Sequence, residues 1–472
     1  MKQRFLVIAS ALLMALIPTG CNGNNPEQSA DPSQQPAVSE DPSQEPSDLK
    51  KLKADVPVTG DWVFEETPTF TLELENPNEV DVTADVKLAI TTDMKEQVTT
   101  ESFEEAIPSR GDKSVSLTTS LKLDPGFYSA KITVNGRVTK VFTFGISPTR
   151  IVSPPDKQDD YDTFWQDAKD QLAAIDMNPV LTEVKEYSTS ARKVYLVELQ
   201  SIPDGLSGDP VTVCGYYVQP LDGKQHPVIM HFYGYDDQNP SGKMYCPSGG
   251  YSADYAEFYL STRGQMINNR TADKRSDGIQ KDYKNNYGDW FAFHFGDKDS
   301  YYYRGAFMDC VQAVRFMSQQ ETSDITNLYA EGASQGGALT YAAAALSDFP
   351  FTAIAPCVAF LGDFPDYFKI VSWPGDTAKN HKGSMTDSEM YAFLSYFDTK
   401  NLATRISCPV IASSCLQDGT CPPHTNLAPY NNLLSTEKEI HFYPLLQHEI
   451  PSDWPDKTMA WFESHREEAV LK

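Results

Sequence analysis

Positive charge is scarce in this chain: 39 Lys and Arg stand against 65 Asp and Glu, a formal net charge of −26 over 472 residues. A surface of that sign repels phosphate backbones, so nucleic acid is not an expected partner. Beyond the amino terminus no run is long and apolar enough to span a bilayer. No glycine-rich phosphate loop occurs. Metal-ligand spacing is also missing: Cys421-Pro422-Pro423-His424 has no second ligand pair, so it reads as loop packing and no metal is expected. Cysteines number only eight. Cys214, Cys246, Cys310, Cys357, Cys408, Cys415 and Cys421 are irregularly spaced and mostly sit in apolar runs, which favours buried thiols over a disulfide framework.

What the amino terminus does contain is a short export signal. Lys2 and Arg4 precede an apolar run from Phe5 to Ile17, and Thr19-Gly20 precede Cys21. Residues 1–20 read as a lipoprotein-type signal peptide, with Cys21 as the lipidated residue. Pro18 departs from the usual pattern, in which leucine is common. Residues 21–50, rich in Pro, Ser, Asp and Glu, have too little apolar surface to fold and read as a disordered tether. The expected location is therefore outside the cytoplasm. A lipid on Cys21 would be the sole membrane contact, and ordinary secretion is the alternative.

Residues 51–150 carry period-two patterns and no helical one. Phe70, Leu72 and Leu74 alternate with polar residues, as do Val82, Ala84, Val86, Leu88 and Ile90. Asn135-Gly136 joins two further alternating runs, a strong hairpin signal. About a hundred residues of short strands predict an immunoglobulin-like β-sandwich. Residues 151–472 differ. Short apolar strands such as 227–232, 327–333 and 409–413 alternate with helical stretches such as 305–319 and 335–346. That order predicts an α/β fold with a mostly parallel sheet flanked by helices.

One segment of this second part carries chemistry: Gly332-Ala333-Ser334-Gln335-Gly336, set between a predicted strand and a predicted helix. The turn from strand to helix is tight enough to demand small residues two before and two after the serine. The serine is then held at the helix amino terminus, the arrangement of an α/β-hydrolase nucleophile elbow. A serine hydroxyl needs a base. His381, His424, His441 and His448 follow the elbow; His448, in the loop after the last predicted strand, is best placed. Asp418 lies just past the strand before it and is the favoured acid, with Asp363 and Asp366 as rivals. Backbone N–H groups of Gln335 and Tyr235 are expected to form the oxyanion hole. Such a triad requires no cofactor.

These segments together resemble the acetyl xylan esterase and cephalosporin C deacetylase family of carbohydrate esterases, over residues from about 150 to the carboxyl terminus. The resemblance rests on Arg263-Gly264-Gln265, Gly332-Ala333-Ser334-Gln335-Gly336-Gly337, Asp418 with Cys421-Pro422-Pro423, His448-Glu449, and Tyr301-Tyr302-Tyr303-Arg304. It implies a Ser334–His448–Asp418 triad, Arg263 and Gln265 as structural supports near the site, and removal of acetyl groups from small acetylated sugars and xylo-oligosaccharides. It also implies a homo-oligomer, since members often form hexamers, although an added domain and an anchor stand against the same packing. Residues 266–269 and His424 depart from the family pattern. The alternatives are another α/β-hydrolase activity (a peptidase or longer-chain esterase) or a catalytically inactive glycan-binding lipoprotein. Trp290, Tyr301 to Tyr303 and Trp373 are possible sugar stackers, with burial in the core as the plainer reading.

Overall fold

The computed structural model describes residues 49–235, 254–265 and 289–467. The signal segment, Cys21, all but the end of the tether, Cys246 and residues 266–269 lie outside the described residues.

Eight strands come first: β1 (Lys53–Asp55), β2 (Val63–Phe64), β3 (Thr69–Glu75), β4 (Val82–Thr92), β5 (Gln97–Ile107), β6 (Asp112–Thr118), β7 (Gly126–Val134) and β8 (Arg137–Ile146). They form a three-stranded sheet, β1-β3-β6, and a five-stranded sheet, β2-β8-β7-β4-β5. Alternation sets which face is inside. Phe70, Leu72 and Leu74 of β3 and Val86, Leu88 and Ile90 of β4 are buried, while the intervening Glu73, Asp85 and Lys87 are exposed. Between the sheets Trp62 stacks on Phe142 with ring centroids 4.1 Å apart. Asn135 and Gly136 both have positive φ, 48° and 73°, as a two-residue hairpin turn requires. Strand β5 was not legible in the sequence. It lies at the sheet edge with both faces partly wet, so its Thr and Glu residues never needed an apolar alternation.

Among the described residues the second part is built on nine strands and their helices. The strands are β9 (Val180–Glu183), β10 (Arg192–Ser201), β11 (Val211–Pro220), β12 (His226–Phe232), β13 (Ala256–Leu260), β14 (Ser323–Ala333), β15 (Ala353–Cys357), β16 (Val410–Cys415) and β17 (Lys438–Tyr443). The helices are α1 (Tyr161–Ala173), α2 (Tyr302–Ser318), α3 (Gln335–Leu346), α4 (Phe364–Ile370), α5 (Gly375–His381), α6 (Asp387–Leu394), α7 (Thr399–Ala403), α8 (Pro423–Asn431) and α9 (Trp454–Ser464). The sheet order is β17-β16-β15-β14-β12-β13-β11-β10-β9. Strands β12 to β17 are parallel to one another, and β9, β10 and β11 pair antiparallel. This is an α/β-hydrolase sheet preceded by a small β-sandwich. Central strands covered on both faces read as unbroken apolar runs, and β12 is buried at every residue. Edge strand β9 is exposed along its whole length and gave no apolar signal.

A buried ion pair fixes helix α2 under this sheet. Arg263 donates from Nε and Nη2 to both carboxylate oxygens of Asp309, at 2.8 and 2.6 Å. A Cβ at Gly305 would stand 2.1 Å from Arg263 Nη1, so the glycine after Tyr301-Tyr302-Tyr303-Arg304 makes room for the guanidinium. The pair is paid for by its bidentate geometry and by Ser201, whose hydroxyl donates to Asp309 at 2.6 Å.

Candidate active site

Strand β14 ends at Ala333 and helix α3 begins at Gln335, which leaves Ser334 alone at the corner with φ 59° and ψ −121°. Such a backbone is strained for any residue with a Cβ and persists only where its surroundings hold it. Here its N–H donates to the Cys357 carbonyl, and its carbonyl accepts from the Phe360 N–H, each at 3.0 Å. The flanking glycines are steric necessities. A Cβ on Gly332 would lie 2.4 Å from the Gly336 carbonyl oxygen, and one on Gly336 would lie 2.1 Å from the Phe232 carbonyl oxygen.

Three loops meet at the serine hydroxyl. His448 follows β17, and its Nε2 lies 2.9 Å from Ser334 Oγ. Its Nδ1 lies 2.7 Å from Asp418 Oδ2, in the loop after β16. With Nδ1–H donating to the carboxylate, Nε2 is left to accept the serine proton. The other Asp418 oxygen accepts from the N–H groups of Thr420 and Cys421, both at 2.8 Å. Both oxygens of this buried carboxylate are thereby hydrogen-bonded.

Around the serine the two expected oxyanion donors come from neighbouring segments. Gln335 opens α3. Tyr235 follows β12 directly after Gly234, whose Cβ position would stand 3.9 Å from Ser334 Cβ. The Tyr235 hydroxyl donates to Asp289 and accepts from the Trp290 N–H. Burial pushes that hydroxyl's pKa well up, so it stays a neutral donor. The Gln335 side chain pairs with the amide of Gln265, and Gln265 in turn donates to the Tyr302 hydroxyl at 2.7 Å. Gln265 thus pairs directly with Gln335, whereas the Arg263 side chain reaches Asp309 and Ser201 and joins this network through its carbonyl, which accepts from the Tyr302 hydroxyl at 2.7 Å.

The rival residues lie elsewhere. Asp363 accepts from Lys400 at 2.8 Å and faces His424 Nε2 at 3.1 Å, with Asp366 3.5 Å from the same nitrogen. Burial would raise the Asp363 carboxyl, but His424 and Lys400 outweigh it and hold it well below the usual carboxylate range. Asp363, Asp366 and His424 are the one group among the described residues with ligand atoms close enough to share a metal. Lys400 already supplies a cation there. His441 faces Glu439 along β17, and His381 turns back to the Thr377 carbonyl. Tyr301, Tyr302, Tyr303 and Trp290 are core residues, whereas Trp373 is half-buried and its indole N–H donates to Asp289 at 3.0 Å. Asp289 was not singled out in the sequence, where a lone carboxylate carries no sign of the tyrosine and tryptophan it joins. Cys415 and Cys421 are unbridged thiols.

Beside the elbow strand, on β12, lies a further buried histidine. His231 of β12 stacks on Tyr259 of β13 at 4.0 Å, and its ring nitrogens meet Glu331 at 2.8 Å and Glu257 at 3.0 Å. Burial opposes the imidazolium, but the two carboxylates outweigh it and raise the pKa from 6.5 to about 9. A raised folded-state pKa stabilises fully below 6.5, and the contribution is lost as pH climbs through 9. Its size is on the order of 3 kcal/mol. His424, also raised, adds to the same trend. The urea midpoint should therefore fall between pH 6.5 and 9.5, and Glu331→Gln should flatten that fall. A wild-type midpoint that stays level across this range would show that His231 is neutral in the folded chain.

Comparison with known proteins follows the same boundaries. Residues 152–465 match the family model described as acetyl xylan esterase. The acetyl esterase Axe7A of Xylanibacter ruminicola is 25% identical over 354 residues, covering 71% of this chain and 74% of that protein. The solved acetyl xylan esterase from Paenibacillus sp. R4 superposes with a TM-score of 0.57 at 27% identity, over 67% of this chain and 98% of its own. Acetyl xylan esterase 1 from Thermoanaerobacterium sp. JW/SL YS485 gives the same score at 22% identity, covering 68% and 98%.

Proposed function

The chain belongs to the acetyl xylan esterase family and is a carboxylic ester hydrolase, and from that premise we propose that it removes acetyl groups from acetylated xylo-oligosaccharides or similar small sugars through an acetyl-enzyme on Ser334. The observation that carries the reading is the unbroken row from Asp418 through His448 to Ser334 Oγ, at 2.7 and 2.9 Å.

Ser334 Oγ attacks the acetyl carbonyl while His448 Nε2 takes its proton. The carbonyl oxygen becomes an oxyanion beside the N–H groups of Gln335 and Tyr235. The imidazolium that forms is stabilised by the Asp418 carboxylate. When the tetrahedral adduct collapses, the carbon–oxygen bond to the sugar breaks and His448 returns the proton to the departing hydroxyl. Water then attacks the acetyl-enzyme by the same route, releasing acetate and restoring Ser334. The chain would act outside the cytoplasm, tethered through a lipid on Cys21.

An acyl-length series of aryl esters, read beside acetate release from acetylated xylan, tests the substrate class. One added methylene in a fitted pocket is worth about tenfold or more in discrimination. Acetate should therefore exceed butyrate in kcat/KM by at least about that factor. A preference for butyrate or longer chains would remove acetyl specialisation from the reading.

A further inference from the structure

The family match begins at residue 152, so the β-sandwich lies outside it. The Paenibacillus esterase is matched over 98% of its length by 67% of this chain. What the extra domain does for the reaction has to be read from where it touches the hydrolase.

It touches the loops that hold Asp418 and His448, and Gln417 is the point of contact. In a strand the N–H and C=O of one residue point to the same side, and residues two apart share that side. The Gly145 N–H of β8 donates to Trp62 at the short parallel strand β2. Thr143, two residues earlier, turns its N–H and C=O toward the same edge, where β2, parallel to β8, has not yet begun. The Gln417 carboxamide takes the place of the missing strand. Its Oε1 accepts from the Thr143 N–H at 2.9 Å, and its Nε2 donates to the Thr143 carbonyl at 3.0 Å. The same Nε2 donates to the Pro444 carbonyl at 2.7 Å, and the Gln417 backbone N–H donates to the Leu446 carbonyl at 3.0 Å. Gln417 immediately precedes Asp418, and Pro444 to Leu446 lead into His448. One side chain therefore joins the sandwich edge to the loop of the acid and the loop of the base.

A second set of contacts runs along helix α8, which starts just past Cys421. His424 Nδ1 stands 3.8 Å from Asp93 of the β4–β5 turn. At the far end Asn431 donates from Nδ2 to the carbonyls of Pro148 and Ile151, each at 3.0 Å. These contacts brace α8 but do not touch the Pro444–His448 loop.

We propose that the β-sandwich is a working part of the catalytic unit, with Gln417 as the positioning residue through which strand β8 holds the Asp418 and His448 loops in register. This rests on the reading of Ser334, His448 and Asp418 as the reacting row. Loops carrying reacting groups need a supporting layer to keep them in productive geometry, and a displacement of 1 Å costs on the order of 100-fold in rate.

The test compares full-length wild type with Gln417→Leu, Gln417→Glu, Asn431→Ala and Ser334→Ala on an aryl acetate. Gln417→Leu loses every side-chain bond at this junction. Its kcat should fall by about 10- to 100-fold with KM within twofold, and fluorophosphonate should modify Ser334 correspondingly more slowly, while the circular dichroism spectrum is unchanged. Gln417→Glu keeps the acceptor but sets a carboxylate oxygen against the Thr143 and Pro444 carbonyls, so its kcat should fall at least as far, and it carries the test if the leucine variant does not fold. Asn431→Ala weakens the same domain contact away from the triad loops. It should lower the thermal midpoint and leave kcat within twofold. A folded Gln417→Leu with wild-type kcat, or failure of both Gln417 variants to fold, overturns the positioning role. In the first case an inactive Ser334→Ala leaves the esterase mechanism standing. An active Ser334→Ala would bring down both.

Discussion

Ser334→Ala should lower kcat for an aryl acetate by about 10⁵- to 10⁶-fold and leave the fold in place. The effect is large because the hydroxyl oxygen is the atom that forms the new bond, and it is the group hydrogen-bonded to His448 Nε2. What survives should come from the oxyanion donors and from binding alone. The fold is spared for a local reason. The strain at φ 59° belongs to any residue with a Cβ, and alanine adds none. The backbone clamps to Cys357 and Phe360 do not involve the side chain. The urea midpoint should thus shift by less than about 1 kcal/mol in stability. Fluorophosphonate should label wild type at Ser334 and leave the variant unmodified. A loss of less than tenfold would remove Ser334 from the mechanism, whatever its geometry.

What could be read from the sequence follows from how far apart the partners lie. The elbow is contiguous, and its glycines are required by sterics within a few residues, so Gly332-Ala333-Ser334-Gln335-Gly336 announced itself. Strand β12 did so because burial on both faces leaves an apolar run, and the β7–β8 hairpin because Asn135-Gly136 supplies two positive φ angles. Long-range polar partners left no such trace. Arg263 finds Asp309 46 residues away and His231 finds Glu331 100 residues away, and neither carboxylate differs in sequence from a solvated one. Gln417 meets Thr143 across 274 residues, through a backbone edge that exists only because β2 is short. The exposed strands β5 and β9 escaped for the opposite reason: with little to bury, they needed no pattern.

The choice among carboxylates shows where spacing stops and geometry begins. Asp363, Asp366 and Asp418 all follow parallel strands at the same sheet edge, so sequence order cannot separate them. Asp418→Asn should reduce kcat by about 10³- to 10⁴-fold, and its hydrogen bonds say why. The Thr420 and Cys421 N–H groups both donate to Asp418 Oδ1, so asparagine must keep its carbonyl oxygen there. Its NH₂ then faces His448 Nδ1 as a donor. The imidazole is forced to carry its proton on Nε2, where it meets Ser334 as a donor and cannot accept the hydroxyl proton. Asp363→Asn removes a charge from beside nearly buried Lys400 and from His424, neither of which touches Ser334 or His448 in this structure. It should cost stability, about 1–3 kcal/mol, and leave kcat within tenfold. Measuring both variants on one aryl acetate separates the roles. If Asp363→Asn were the one to lose three orders of magnitude while Asp418→Asn stayed active, the acid would have to be reassigned and the row at Ser334 would be a structural pairing only.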